Sequence, residues 1–150
     1  MKHKLILMVF LFASILLGSC SNQNLECGDL FDRYAKKPNK VKFIECKSGT
    51  EQTILEAKYK VSGMDSKEIE EVLITEFGMG KLKFVCCGWE PENGKNGYIE
   101  NKHLKEINTN YVLEISMYAN AEKNNKKGKT EIEFDRKKVD FYLKVRILEI

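Results

Sequence analysis

The sequence predicts an α+β fold in which two helices pack on one face of a mainly antiparallel β-sheet, in a single domain. Helix-like and strand-like apolar spacings come in the order helix, strand, strand, helix, strand through the first part of the chain. The last part alternates apolar and polar residues, which is typical of strands with one buried face. Helices segregated to one side of such a sheet bury its apolar face, so the two patterns together favour this class.

The N-terminal residues have the three-part pattern of a secretory signal. A basic start over residues 1–4 precedes a run over residues 5–17 that is apolar apart from Ser14. The run has 13 residues, whereas a helix needs roughly 20 to span a bilayer. We therefore expect a short leader and no permanent transmembrane helix.

The motif Leu17-Gly18-Ser19-Cys20 resembles the lipobox of bacterial lipoproteins, in which the cysteine is acylated after cleavage. The resemblance implies a lipoprotein signal peptide over residues 1–19, a lipidated N-terminus and short tether over residues 20–24, and a domain over residues 25–150. The membrane is then a partner through lipid on Cys20, because two or three acyl chains hold a protein firmly. Ser21, by resemblance to enterobacterial sorting rules, implies the outer membrane. The alternative is an ordinary cleavage site with a cysteine nearby.

The charge balance argues against a nucleic-acid partner. Without Lys2 and Lys4 of the predicted leader, 23 basic residues face 22 acidic ones. A nucleic-acid-binding domain is expected to show a basic excess or stripe, and here both signs are interspersed. The one lysine-rich stretch, residues 123–129, is predicted to be a solvated hairpin tip, with a phosphate or lipid-headgroup contact as the alternative.

The first elements after the tether are a helix and a β-hairpin. Asn24 is the expected cap of the helix, which ends before Pro38 and is predicted from apolar residues spaced i, i+3, i+4, i+7: Cys27, Leu30, Phe31 and Tyr34. Strands over residues 41–46 and 53–61 follow, and the small polar residues 47–50 suit the turn between them.

The second helix has the clearest start and stop signals. Asp65 is the predicted N-cap, Glu68 stands where a capping box needs an acid, and Met64 and Ile69 stand where a hydrophobic staple forms. Gly78 is the predicted C-terminal stop. The apolar stripe consists of Ile69, Val72, Leu73 and Phe77.

The remaining chain is predicted to be mostly strands. A strand covers residues 82–89, a Gly- and Asn-rich loop covers 91–97, and the polar segment 98–110 has no assigned structure. Three alternating segments should then build an antiparallel meander. Their inward residues are Tyr111, Leu113, Ile115 and Met117, then Ile132 and Phe134, then Val139, Phe141, Leu143, Val145 and Ile147.

Four cysteines other than Cys20 lie in an expected oxidising compartment: Cys27, Cys46, Cys86 and Cys87. A helix from Cys27 would run about 15 Å and the next strand would return about 16 Å, which favours a bond between Cys27 and Cys46. The strand that carries Cys86 should end at the opposite end of the sheet, leaving Cys86 and Cys87 for each other. Cross-pairing of the two sets is the rival, because connectivity cannot be deduced from sequence.

Metal and redox chemistry are the other uses of four cysteines. Zinc sites use spacings such as C-x-x-C, and none occurs here, so we expect no metal and no cofactor. A redox-responsive switch that uses Cys86 and Cys87 is an alternative function, since bridges between sequence neighbours are strained and more reducible.

The motif Cys86-Cys87-Gly88-Trp89-Glu90 resembles that of a family of small bacterial proteins known only as a domain of unknown function. Cys27-Gly28-Asp29-Leu30, Phe77-Gly78-Met79 and Leu82-Lys83-Phe84-Val85 carry the same resemblance, which runs from Cys27 to at least Glu90. It implies no activity, substrate or catalytic residue. Trp89 and Glu90 are the predicted interaction residues, because aromatic anchors dominate interface energetics. The alternative is that Trp89 stabilises a strand end from the core.

No pattern in the chain predicts an enzyme. His103 is the single histidine outside the predicted leader, and there is no nucleophile elbow, zinc-binding histidine pair or phosphate loop. We therefore predict a non-catalytic, lipid-anchored protein of the cell envelope that binds an envelope or secreted protein through residues 86–97. The alternatives are the redox switch and an inhibitor or immunity-type lipoprotein directed against a secreted toxin or hydrolase.

Overall fold

The computed structural model describes residues 25–124 and 128–150. Within these ranges the chain forms a single α+β domain with a mainly antiparallel sheet, which confirms the predicted class, and it has three helices where two were predicted. The helices are α1 (Leu30–Tyr34), α2 (Ser66–Phe77) and α3 (Lys102–Ile107). The strands are β1 (Lys42–Ser48), β2 (Thr53–Val61), β3 (Leu82–Val85), β4 (Gly88–Pro91), β5 (Gly97–Ile99), β6 (Tyr111–Asn120), β7 (Glu122–Asn124), β8 (Thr130–Ile132) and β9 (Phe141–Glu149).

Seven strands form one sheet in the order β1-β2-β9-β6-β4-β3, with β5 also paired to β6. Every pairing is antiparallel. The predicted meander is wrong in its middle element, because β6 pairs directly with β9 while β7 and β8 form a separate hairpin. Phe134 lies beyond β8 and is 71% exposed.

One face of the sheet is buried against the helices, which contact β5, β6 and β9. The alternation predicted for β2 and β9 is confirmed, since their inward residues are buried and their outward residues are not. On β6 the inward residues from Leu113 on are buried as predicted, but Tyr111 is only half-buried, and the outward residues Val112, Glu114 and Ser116 are buried as well. Full burial of one inward apolar side chain is worth about 1.5–3 kcal/mol, so the inward rows hold the domain together. The inward residues are Leu55, Ala57, Tyr59, Val61, Leu113, Ile115, Met117, Ala119, Phe141, Leu143, Val145 and Ile147.

The first helix is shorter than predicted. The backbone N–H of Asp32 donates to the carboxylate of Asp29 at 3.1 Å, so Asp29 is the N-cap and α1 begins at Leu30. The prediction that the helix contains Cys27 is therefore wrong. Asn24, the predicted cap, lies outside the described residues.

The second helix has the predicted apolar stripe and ends at Gly78, whose φ of +69° is the left-handed conformation that favours glycine. Its predicted capping box is wrong. Asp65 has helical dihedral angles and makes no side-chain cap, while Glu68 binds Lys40 at 2.7 Å. Met64 is 67% exposed, so it does not form the predicted staple.

A buried ion pair ties α2 to the chain before β9. The carboxylate of Glu70 binds the guanidinium of Arg136 and accepts a hydrogen bond from the N–H of Leu82 at 2.6 Å. The Nε of Arg136 donates to the hydroxyl of Ser66 at 2.6 Å. The pair therefore links a helix, a strand and a loop that lie far apart in sequence.

Within the described ranges, no helix is long and apolar enough to cross a membrane. The predicted signal peptide, the lipidated Cys20 and the tether fall on residues 1–24, outside the described part of the chain.

Candidate functional site

The two neighbouring cysteines form the turn of the β3–β4 hairpin. The prediction of one strand over residues 82–89 is wrong, because β3 ends at Val85, β4 begins at Gly88, and these two residues pair across the hairpin. Cys86 has a φ of +53°, which is uncommon for a residue other than glycine. The N–H of Cys87 donates to the carbonyl of Val85 at 2.6 Å and closes a three-residue γ-turn. The sequence does not predict this turn, since Cys-Cys is not a usual turn dipeptide.

Disulfides join Cys27 to Cys46 and Cys86 to Cys87. They lie at opposite edges of the sheet, because β1 and β3 are the outermost strands of the described order. This is the pairing that the sequence argument favoured, although Cys27 precedes α1 instead of lying in it. Cys86 is exposed and Cys87 is half-buried, so solvent reaches the second disulfide.

The two residues after the turn have packing roles. A Cβ on Gly88 would lie 2.0 Å from the carbonyl oxygen of Ala119, so only glycine allows β4 to approach β6 this closely. Trp89 is 9% exposed, and its ring centroid lies 4.9 Å from that of Phe84 and 5.5 Å from that of Phe141. The indole therefore offers little surface to a partner. Its packing fits the alternative prediction, in which Trp89 stabilises a strand end from the core.

A cleft of about 320 Å³ opens beside the turn. Its walls come from the β3–β4 hairpin and from the end of β6, and include Val85, Cys86, Cys87, Glu90, Tyr118 and Asn120. Val85 is 50% exposed, and Glu90, the other predicted interaction residue, is also exposed. The volume is at the small end of the range for ligand pockets, so it suits one side chain or a small group.

The cleft borders the outward face of the sheet, opposite the helices. Tyr118 on β6 and Tyr142 on β9 are cross-strand partners with ring centroids 6.0 Å apart. The Nζ of Lys144 lies 5.1 Å from the centre of the Tyr118 ring, and that of Lys58 lies 4.7 Å from the centre of the Tyr142 ring. This face consequently presents ammonium groups above aromatic rings.

Lys58 and Lys144 are directly opposite each other on β2 and β9. Like charges in that position weaken a sheet. Among the described carboxylates, none forms an ion pair with either lysine, whereas Arg146 on the same face binds Glu114. Glu45 on β1 is the other cross-strand partner of Lys58, so the outward face carries both signs of charge, with the two lysines side by side near its centre. Sequence reasoning missed this arrangement, because only the strand register brings the two lysines together.

Tyr118 stands between the cleft and the two lysines. Burial, with further contributions from Glu56, Tyr142 and Glu45, raises the pKa of Tyr118. Its phenol is therefore protonated at neutral pH, and the hydroxyl can donate a hydrogen bond to a bound group.

Asp29, in the upstream motif, has a structural role. The hydroxyl of Tyr59 donates to its carboxylate at 2.9 Å and accepts from the N–H of Phe31 at 2.8 Å, while Lys37 binds its other oxygen. Burial acts to raise the pKa of Asp29, but the hydrogen bonds from Lys37, from the Asp32 N–H and from Tyr59 together lower it. Burial raises the pKa of Tyr59. Asp29 thus fixes α1 to β2.

The other candidate residues do not form a site with the turn. His103 lies on α3, stacked 6.0 Å from Tyr34. In the described ranges, no group of three or more His, Cys, Asp or Glu residues is arranged to hold a metal ion. The lysine-rich segment joins β7 to β8, and its residues 125–127 lie outside the described part.

A second cleft, of about 490 Å³, lies between the end of α1 and α2. Pro38 and Phe77 contribute to its walls, and Lys37 at its rim is already bound to Asp29. We favour the smaller cleft as the candidate site, because it combines an exposed disulfide with unpaired positive charge nearby.

Comparison with known proteins finds one similarity. Residues 18–89, just under half of the chain, match a family described as a domain of unknown function (DUF4952). The matched range contains all four disulfide-bonded cysteines and ends at Trp89. No curated protein and no solved structure matches the chain.

Proposed function

We propose that this chain is a lipid-anchored protein of the cell envelope that binds another protein, without catalysis, through the surface beside the Cys86–Cys87 turn. The match to an uncharacterised family supports no activity, so the proposal depends on the surface itself. We call this surface the binding face, and define it as the cleft beside the turn together with Tyr118, Lys58 and Lys144. The observation that carries the proposal is the position of this cleft next to two unpaired lysines.

The two adjacent lysines of the binding face favour an acidic side chain in the partner. The opposed ammonium groups of Lys58 and Lys144 repel each other, and a carboxylate between them would relieve that repulsion. Charge complementarity of this kind steers association and fixes the orientation of a partner. We therefore propose a partner that presents an aspartate or glutamate side chain to these lysines.

The cleft supplies the apolar part of the interaction. Val85 is a large apolar side chain that is 50% exposed at its wall. The disulfide and the γ-turn hold this wall in one conformation, and preorganised surfaces lose less entropy on binding. An apolar side chain close to the acidic one in the partner sequence would fill the cleft.

Site-specific photo-cross-linking in cells tests the proposal. A photoreactive phenylalanine analogue at Val85, in the full chain, should cross-link one envelope or secreted protein, which mass spectrometry then identifies. The same analogue at Lys67, exposed on α2, is the matched control and should not yield that product. Adding Lys58→Glu and Lys144→Glu should reduce the product at least about tenfold, because like charges across an interface are strongly unfavourable. A product that is equally abundant in all three chains contradicts the proposal.

The lipid anchor has its own test, since it depends on the lipobox alone. Cys20→Ala should move the protein from the membrane fraction to the soluble envelope fraction or leave its leader uncleaved. Metabolic labelling with a fatty-acid analogue should mark the wild type and not the variant. Labelling of both chains would place the lipid on another residue.

A further inference from the structure

We infer that the Cys86–Cys87 disulfide is a site of reversible thiol–disulfide exchange with an external dithiol. This exchange is a role additional to the proposed binding function, and the reaction at the sulfur atoms does not require that function. Each disulfide has one exposed cysteine, Cys86 in this bond and Cys27 in the other, so solvent reaches both bonds and the backbone of the turn is what distinguishes this one. An attacking thiolate needs such access to a sulfur atom.

The backbone of the turn supplies a driving force for reduction. A γ-turn whose central residue has positive φ is rare and strained, and Cys86 holds this conformation without being glycine. The cross-link restricts the two residues to conformations that allow it. Reduction removes that restriction, so the turn can relax, and release of strain favours the dithiol form.

The exchange is a two-electron reaction with a dithiol reductant. One thiolate of the reductant attacks the sulfur of Cys86, forms a mixed disulfide and releases Cys87 as a thiolate, which takes up a proton. The second thiol of the reductant loses its proton and attacks the reductant's first sulfur, which is bonded to Cys86 in the mixed disulfide. Cys86 then leaves as a thiolate, which takes up a proton. The products are two cysteine thiols and an oxidised reductant, and the reverse reaction with an oxidised dithiol restores the bond.

Two backbone hydrogen bonds connect the turn to the β7–β8 hairpin. The carbonyl of Cys87 accepts from the N–H of Ala121 at 2.7 Å, and the carbonyl of Ala121 accepts from the N–H of Glu133 at 2.9 Å. Movement of the turn on reduction thus reaches the base of the β7–β8 hairpin. Both cysteines also form walls of the cleft, so reduction alters the binding face. This last consequence alone depends on the proposed function.

Differential alkylation tests the chemistry with no partner present. The full chain, purified in detergent, is equilibrated with a series of ratios of reduced to oxidised dithiothreitol, alkylated, digested and analysed by mass spectrometry. Cys86 and Cys87 should become alkylated at a ratio of reduced to oxidised dithiothreitol at least tenfold lower than Cys27 and Cys46 require. When oxidised dithiothreitol is added back, both should again be protected from alkylation. The far-UV circular dichroism should stay unchanged throughout. Opening of both disulfides together, or opening only with loss of structure, overturns the inference.

Two double variants test the conformational step. Hydrogen exchange of the Ala121 amide should be about tenfold faster in Cys86→Ser/Cys87→Ser than in the oxidised wild type, because serine disfavours positive φ once the cross-link is gone. Cys86→Gly/Cys87→Ser lacks the cross-link but tolerates positive φ, so its Ala121 amide should stay close to the oxidised wild type. Equal exchange rates in the two variants overturn the coupling between strain and reduction.

Discussion

Asp29 and Asp65 both stand at the start of a helix, yet only Asp29 caps one. Its carboxylate accepts from the Asp32 N–H and from the Tyr59 hydroxyl, whereas Asp65 makes no cap. We expect Asp29→Ala to lower the free energy of unfolding by about 1 kcal/mol, the typical cost of a lost cap. Asp65→Ala, which removes a surface ion pair with Lys40, should lower it by less than about 0.5 kcal/mol. Urea unfolding of both variants compares them, and equal losses would contradict the assignment.

The lowered pKa of Asp29 makes its contribution depend on pH. A carboxyl group whose pKa is lower in the folded state stabilises the protein fully above the unfolded pKa, about 4 for aspartate, and this stabilisation is lost as the pH falls through the folded pKa. The difference in unfolding free energy between wild type and Asp29→Asn should thus be constant from about pH 5 to 7 and shrink below about pH 4. Urea unfolding at a series of pH values measures it. A difference that persists unchanged into strong acid would show that charge on Asp29 is not involved.

Gly88 is the residue of the vicinal-cysteine motif whose role is purely steric. Gly88→Ala places a Cβ against the Ala119 carbonyl oxygen in a rigid strand pair, so we expect a loss of about 1–3 kcal/mol from overpacking. Gly28→Ala is a matched control from the upstream motif, because the nearest atom there belongs to the flexible Arg33 guanidinium. It should change stability by less than about 0.5 kcal/mol. Thermal and urea unfolding measure the stability of both variants, and equal losses in Gly88→Ala and Gly28→Ala would contradict the steric argument.

Among the elements, periodic ones could be predicted and the turn between β3 and β4 could not. The strand over residues 53–61 and the stripe of α2 have the expected bounds and burial, because alternation and helical spacing reflect which side faces the core. The run through Val85 and Cys86 contains only strand-compatible residues, so nothing local marks a turn there. A covalent bond between neighbours and a close contact at Gly88 set this turn, and neither is visible in hydrophobic periodicity.

The position of α2 on the sheet depends on the Glu70–Arg136 pair. Glu70→Ala leaves the largely buried guanidinium of Arg136 without its carboxylate partner, and we expect a loss of about 3 kcal/mol, the low end of the range for a broken buried pair. Glu71→Ala, on the exposed side of the same helix, is the control and should change stability by less than about 0.5 kcal/mol. The double variant Glu70→Ala/Arg136→Ala should lose less than the sum of the single changes, because the pair is coupled. Additive losses in urea unfolding would show that the two residues act independently.

At the scale of the whole molecule, the candidate site could be predicted only in part. The sequence singled out Cys86 and Cys87, whose adjacency is visible in the chain. It could not indicate that Lys58 and Lys144 face each other, because they come from strands far apart in sequence that pair only in the folded sheet. Strand register decides which side chains meet, and a slip of one residue in either strand would move the lysine of that strand to the buried face.

The two disulfides should contribute very differently to the stability of the domain. Cys27 and Cys46 are 19 residues apart, and closing a loop of that length restricts the unfolded chain by about 3 kcal/mol. Cys86 and Cys87 are neighbours, so their bond closes no such loop and holds only the turn. We expect Cys27→Ala/Cys46→Ala to lower the free energy of unfolding by about 3 kcal/mol, and Cys86→Gly/Cys87→Ser to change it by less than about 1 kcal/mol. Urea unfolding without reductant measures both variants. A larger loss of unfolding free energy from Cys86→Gly/Cys87→Ser would mean that the turn, and not the Cys27–Cys46 disulfide, maintains the fold.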